Sequence, residues 1–168
     1  LSDVSPGQLT VRPAVESELD AVVNILWSVA GEGRWVGTEL PFDRRERRRL
    51  YERMMHSSAG TVVVAEVDGR IVGQASVQVA SYGVADLGMA ILDGYRGRGI
   101  GTALLTAAIE WAAGTGSHKM SLEVWPHNQA GLALYRKLGF VEEGRKVRHY
   151  RRANGEIWDA VLMGRPLP

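Results

Sequence analysis

The sequence predicts a mixed α/β (α+β) domain in which one sheet carries helices on its faces. Three observations lead there. The run "TVVVAEVDGRIVGQASVQVA" (61–80) is two β-rich segments around Asp68-Gly69, a pair that type I′ hairpins favour. The elements read along the chain follow the order β-α-α-β-β-β-α-β-α-β-β, which a mixed sheet accommodates. The 168 residues, 45 % apolar and 23 % charged, fit a single domain (1–168) with one core, and they contain no repeat or linker.

Each element has a local reason. "LTVRPA" at 9–14 is short, β-prone and closed by proline, as an edge strand would be. Ser17 with Asp20 resembles a capping box, and Leu19, Val22, Val23 and Leu26 then keep helical spacing to about Val29. "GEGRWVGTELPF" (31–42) is a glycine-rich loop carrying aromatics, the mark of a packed lid or a binding loop. A second helix is expected from Asp43 to about His56, burying Leu50, Tyr51 and Met54. After the hairpin, a strand runs from about Ala85 to Leu92. Beyond Gly99 the positions Ile100, Ala103, Leu104, Ala107 and Trp111 share a helical face, and Gly114 and Gly116 end it. "KMSLEVW" is a strand stopped by Pro126, and Asn128 to Leu138 is a short helix closed by Gly139. Two last strands flank Asn154-Gly155, a second hairpin signal.

Composition narrows the chemistry. There is no cysteine, which removes disulfides, thiolate metal sites and a cysteinyl acyl-enzyme. The four histidines show no metal-ligand spacing, so no metal is expected. No apolar run approaches the roughly 18 residues of a membrane span, and Leu1 to Thr10 lacks the layout of a secretory leader. The expectation is a soluble, cytoplasmic protein with no membrane partner. Net charge is +1, so the chain as a whole is not a polyanion binder, although Arg44, Arg45, Arg47, Arg48 and Arg49 crowd into "FDRRERRRLYERM".

The chemistry-bearing stretch is "DGYRGRGIGTALL" (93–105), with glycines at alternate positions just where a helix begins. Gly97, Gly99 and Gly101 do not make the GxGxxG of a dinucleotide site, and no lysine completes a Walker loop. Arg96-Gly97-Arg98-Gly99-Ile100-Gly101 does satisfy Arg/Gln-x-x-Gly-x-Gly/Ala. Glycines let a diphosphate lie against the main chain, helix-start N–H groups donate to it, and Arg96 and Arg98 add charge. A tight turn that needs glycine only for packing accounts for the hexapeptide equally well. Downstream, "VWPHNQAGLALYRKLGF" (124–140) sets Asn128 and Tyr135 seven residues apart, on one helical face with Leu132 between. Asn128 also suits a plain N-cap and Tyr135 a core tyrosine. The two segments in this frame are what point to a site.

Together they resemble the acetyl-CoA-binding region of the GNAT superfamily of N-acetyltransferases, and the strand order fits that fold over about residues 10–164. The resemblance implies a mostly antiparallel sheet of about seven strands with helices on both faces. It implies a strand with a bulge, splayed from its neighbour, at Met89, Ala90 and Ile91, where the pantetheine arm of acetyl-CoA enters. It implies that the main chain from Arg96 through Gly97, Arg98, Gly99, Ile100 and Gly101 to Thr102 holds the pyrophosphate. Asn128 would bond the cofactor arm, and Tyr135 would sit by the thioester sulfur and protonate the leaving thiolate. A backbone N–H near Ile91 would stabilise the carbonyl oxygen. The amine must lose a proton before attack, and Glu123, Asp86 and Glu39 are the candidate bases, with water relay as an alternative. Glu123 ranks first because its strand borders the cleft.

The loop between the first two helices usually lines the acceptor site in this superfamily. Here Trp35 and Phe42 would flank an apolar or cationic group, and Glu32 and Glu39 would attract an ammonium. The expected reaction is direct acetyl transfer to a primary amine of a small molecule. The runner-up acceptor is a protein N-terminus of the ribosomal-protein type. A binding module for nucleic acid, read from Arg44, Arg45, Arg48 and Arg49, ranks last because Glu46 and Glu52 interrupt the stripe. Dimers are frequent in the superfamily, and the C-terminal hairpin leaves sheet edges that could pair between subunits, so a homodimer is possible by analogy.

Overall fold

The computed structural model describes residues 7–168. The expectation drawn from Leu1 to Thr10 therefore lies in part outside the described residues. Seven strands form one sheet in the order β1-β2-β3-β4-β5-β7-β6. They are β1 (Leu9–Pro13), β2 (Gly60–Val67), β3 (Arg70–Val79), β4 (Val84–Ile91), β5 (Lys119–Val124), β6 (Val141–Arg151) and β7 (Ile157–Pro166). The helices are α1 (Leu19–Gly31), α2 (Arg44–Met55), α3 (Ile100–Gly114) and α4 (Gln129–Lys137). Every neighbouring pair is antiparallel except β4 with β5. Among the described residues no helix is long and apolar enough to cross a membrane.

The run Val62-Val63-Val64-Ala65 explains why both faces are covered. Val62 and Val64 pack with Leu19, Val22, Val23 and Leu26 of α1 and with Tyr51 and Met54 of α2. Val63 and Ala65 point the other way, onto Ile100 and Leu104 of α3. A strand buried on both faces reads as a continuous apolar run rather than an alternation. Beyond it, α3 and α4 close a second core on β5 and β7 around Met120, Leu122, Phe140 and Met163. The Asp68-Gly69 turn has φ of 50° and 78°, as a type I′ hairpin requires.

Four local expectations differ from what is found. The turn before α1 is closed by Glu18, not by Ser17 and Asp20: its carboxylate accepts from Val15 N–H at 2.9 Å. Leu50 is 38 % exposed, because α2 turns Arg47, Tyr51 and Met54 inward instead. The buried stripe of α3 is Ile100, Leu104, Leu105, Ala108 and Ala112, since an alanine-rich helix leaves the phase of its apolar face open. At the last hairpin only Gly155 has positive φ (89°), and Arg152 N–H closes a longer loop onto Glu156 O at 2.8 Å. Glu16, Glu52 and His56 bring ligand-type atoms within 4.8 Å of one another, a grouping that sequence spacing hides.

Candidate active site

The parallel pair β4–β5 holds only over Val84–Asp86 against Lys119–Ser121. Both strands continue, to Ile91 and Val124, without pairing further, so the sheet splits in its middle. On its other side β4 keeps unbroken register with β3, from Val79↔Ala85 to Gly73↔Ile91. The splay implied by the resemblance is present, but β4 carries no bulge against β3. Ala80 N–H bonds Val84 O at 2.7 Å and Leu92 N–H bonds Val72 O at 2.9 Å. Even-numbered residues thus pair with β3. In an antiparallel ladder the odd ones, Met89 and Ile91, must then turn their main-chain groups into the split. Ile91 O is occupied there by Arg96 Nε–H at 2.9 Å.

Below the split lies the glycine turn. Gly97 and Gly99 have φ of 73° and 81°, which L side chains rarely adopt, and a Cβ on either would meet nothing within 4 Å. Gly101 serves differently: its Cβ would stand 2.9 Å from Leu134 Cδ2, so this glycine seats α3 against α4. The first intrahelical bond of α3 runs from Ala103 N–H to Gly99 O at 3.1 Å. Among the described residues the amides from Arg96 to Thr102 have no acceptor within the protein. A glycine N-cap offers no side chain to satisfy them, and the helix dipole adds positive potential at the same place. Unspent donors on an open, Cβ-free surface fit a diphosphate. Ile100 contributes main chain only, since its side chain is buried in the core.

The arginine charges are placed otherwise than expected. Arg96 is spent on Glu32, which accepts from Nη1 at 2.9 Å and Nη2 at 2.6 Å. That pairing holds Glu32 below the ordinary carboxylate range despite partial burial, and it pins the loop after α1 to the glycine turn. Arg98 is exposed, its guanidinium 5.4 Å above the Tyr95 ring.

Asn128 and Tyr135 both line the cavity at the split, which measures about 840 Å³. Leu132 does not stand between them at the surface but turns into the core, leaving Gly131 and Leu134 on the wall. Asn128 caps α4, its Oδ1 accepting from Gly131 N–H at 2.9 Å, so only its Nδ2 remains to donate. Tyr135 is half-buried by area, yet its hydroxyl lies deep, and burial pushes the phenol up to about 12. It keeps its proton at neutral pH.

On the opposite side of the sheet Glu123 also reaches the cavity. Burial raises its carboxyl, but hydrogen bonds from Lys146 (2.5 Å) and Tyr150 (2.5 Å) outweigh this and leave it below the ordinary range. It is an ionised, already partnered carboxylate and a weak base. Trp35 lines the cavity, its indole N–H bonded to Glu32 at 2.8 Å. Glu39 and Phe42 do not line it. Glu39 accepts from Ala153 N–H at 3.0 Å and faces Arg152, while Phe42 packs on Trp27 at 5.1 Å.

Arg152, which the sequence did not single out, holds this wall together. It is 5 % exposed and lies between the rings of Trp125 (5.2 Å) and Trp158 (4.6 Å). Its guanidinium donates to Gly37 O at 3.0 Å and Val36 O at 3.3 Å. His127 Nε2–H adds a bond to Arg34 O at 2.8 Å. The arginine run disperses in the same way. Arg44 bonds Asn24 and Arg48 pairs with Asp20 at 3.2 Å, whereas Arg47 lines the cavity.

A split mixed sheet with free amides at a glycine-capped helix beneath the split defines the class, that of N-acetyltransferases. The profile of the acetyltransferase (GNAT) family matches residues 20–140. An N-alpha-acetyltransferase of Sulfurisphaera tokodaii is 38 % identical over 118 residues, covering 62 % of this chain and 68 % of its own. An L-methionine sulfoximine/L-methionine sulfone acetyltransferase of Pseudomonas paraeruginosa is 26 % identical over 140 residues, 80 % of this chain and 81 % of its own. The crystal structure of a GNAT-family acetyltransferase from Streptococcus pneumoniae superposes with a TM-score of 0.85 at 27 % identity, covering 96 % of this chain and all of that one. The chain belongs to the GNAT acetyltransferase family and is an acetyl-CoA-dependent N-acetyltransferase.

Proposed function

We propose that the whole chain, residues 1–168, acts as one domain that acetylates the primary amine of a small molecule by direct attack in a ternary complex. The unpaired amides from Arg96 to Thr102, opening on the same cavity as Tyr135, carry this reading. Acetyl-CoA supplies the acetyl group as a thioester. The free amides hold its diphosphate, and the odd-numbered main-chain groups of Met89 and Ile91, with Ala90 between them, receive its pantetheine arm. Asn128 Nδ2 donates to that arm. Ile91 N–H faces the developing charge on the carbonyl oxygen, and Tyr135 Oη gives its proton to the departing sulfur. With no cysteine in the chain, the amine takes the acetyl group directly.

Glu123 attracts the acceptor's ammonium, and water takes the ammonium proton, because a carboxylate held this low does not strip an amine alone. Trp35 and the pinned 32–42 loop close the acceptor side, with Glu39 and Phe42 as its supports. A loop pinned along the cavity wall favours a small acceptor over a peptide. The 38 % identity to an N-alpha-acetyltransferase favours the second reading, a protein α-amine. Thiol release from acetyl-CoA, measured with small amines and with N-terminal peptides side by side, separates them. Turnover confined to peptides overturns the first reading, and calorimetry that detects no coenzyme A binding overturns both.

A further inference from the structure

The arginine run and one buried amide remain unexplained by acetyl transfer alone. Arg47 lines the cavity, half-buried, and among the described residues no carboxylate pairs with it. Its guanidinium lies 5.5 Å over Phe42, which sets its direction. One turn later on the same helical face, Tyr51 is buried and within hydrogen-bonding reach of Arg47. Gln74 of β3, 2 % exposed, lies 3.5 Å from the Tyr51 hydroxyl through Nε2, and its Oε1 has no partner at all. All three side chains line the cavity.

The donor count decides what they are for. With the amide as placed, Gln74 Nε2 donates to the Tyr51 oxygen at 3.5 Å, so the tyrosine O–H and Gln74 Oε1 are both unspent. With the amide turned over, the O–H satisfies Oε1 and the NH₂ is left unspent. Burial pushes the Tyr51 phenol up, so it remains a donor. The turned-over amide is the arrangement that leaves no orphaned acceptor, and it presents the Arg47 charge and a spare N–H to the cavity, where a buried donor without an acceptor is costly. The complement is a group that only accepts and carries negative charge. The register places it: Gln74 is paired with Ala90, beside the strand segment that receives the thioester rather than beside the diphosphate turn.

We infer that Arg47, Tyr51 and Gln74 form a carboxylate pocket, so that the acceptor is an amine bearing a nearby carboxylate, the α-amino-acid class. This rests on the acetyl-transfer reading and names the substrate class for it.

The test uses the full chain with saturating acetyl-CoA, the standard L-amino acids and their carboxamides. Thiol release reads transfer, and calorimetry on the coenzyme A complex reads binding. At least one amino acid is expected to exceed its carboxamide in kcat/KM by about 10- to 100-fold, the range of charge-assisted hydrogen bonds. Arg47→Gln erases that preference, Arg47→Lys restores part of it, and the KM for acetyl-CoA stays within about twofold in both, which shows that the variants fold. Acids that bind in an Arg47-dependent way without thiol release sustain the pocket and sink the transfer reading. Acids and carboxamides used equally, a preference that survives Arg47→Gln, or no binding by any acid overturns the pocket.

Discussion

The wall made by Met89–Ile91, the 96–99 turn and the start of α3 meets the cavity with main-chain groups, whereas the wall made by α2, the 32–42 loop and β5 meets it with side chains. On the first wall the donors exist because a strand has lost its neighbour and a glycine caps a helix. They are fixed by backbone geometry and tolerate most side-chain change. On the second wall each group is held by another side chain, Glu123 by Lys146 and Arg47 by Phe42. On the proposed reading the first wall handles the donor through main chain and the second the acceptor through side chains, so substitutions should bear mainly on the second.

Tyr135, a side chain of α4 lining the same cavity, is placed in the chemistry by its proton, so it gives the strongest test of the proposed reading. Tyr135→Phe is expected to lower kcat by about 10- to 1000-fold, a general-acid effect, while coenzyme A affinity changes by less than about threefold. Turnover that is unchanged at saturation removes Tyr135 from the mechanism. The phenol is raised to about 12 by burial, so the folded state favours its neutral form. Its contribution to stability is therefore full below about pH 10, the ordinary tyrosine value, and is lost as pH climbs through about 12. No fall in kcat due to this group is expected below about pH 11.

Gly99 tests the main-chain wall itself. At φ of 81° a Cβ would meet nothing within 4 Å, but a β-branched valine would not tolerate the conformation. Gly99→Val should move the first-turn amides and weaken coenzyme A binding by about 10- to 100-fold, from roughly 1–3 kcal/mol of backbone strain at such positions. Normal affinity by calorimetry would mean that the diphosphate is held elsewhere.

That wall was legible in the sequence because its requirements are local. The 97-99-101 glycines, the Asn128–Tyr135 spacing and the Asp68-Gly69 turn each lie within one or two helical turns or one hairpin. The acceptor wall was not legible. Arg152 meets Gly37 across 115 residues, and no short-range pattern announces that pairing. Arg47 was overlooked for a different reason. An arginine run reads as a solvated stripe, and Leu50 looks like the core residue beside Tyr51, yet helical geometry puts Arg47, Tyr51 and Met54 on one face. Glu39 and Phe42 lie in the 31–42 loop, but one carboxylate and one ring say nothing of whether they face the cavity or the loop's own supports. The bulge expected in β4 failed because the split needs only that β5 diverge.

Arg152 lets the second wall be broken without touching its lining. Arg152→Met keeps the stem between Trp125 and Trp158 but strands the carbonyls of Val36 and Gly37. The loss is about 3 kcal/mol, from unsatisfied buried acceptors and a lost cation–π contact, or about 6–12 °C in Tm for a chain of this size. Proteolysis within the 33–40 loop should accelerate and the acceptor KM should rise, with acetyl-CoA KM nearly unchanged. Equal loss on both substrates would show that the walls are not independent.

The Glu32–Arg96 pair joins the two walls, and it yields the smallest effect. Arg96, ahead of the opposing term from burial, holds the Glu32 carboxyl below the ordinary range. For a depressed carboxylate the stabilisation is present above the ordinary pKa and lost as pH falls through the folded value, so the joint opens only in acid, below about pH 4. Trp35 reports it, since its indole N–H shares the same carboxylate. Tryptophan emission should step in that window in the native chain, and the step should be missing in both Glu32→Gln and Trp35→Phe. Glu32→Gln at neutral pH should raise acetyl-CoA KM by no more than about threefold, as expected for a partly exposed ion pair. A larger rise would mean that Arg96 orders the phosphate turn through Glu32, and that the two walls are set by one contact rather than built apart.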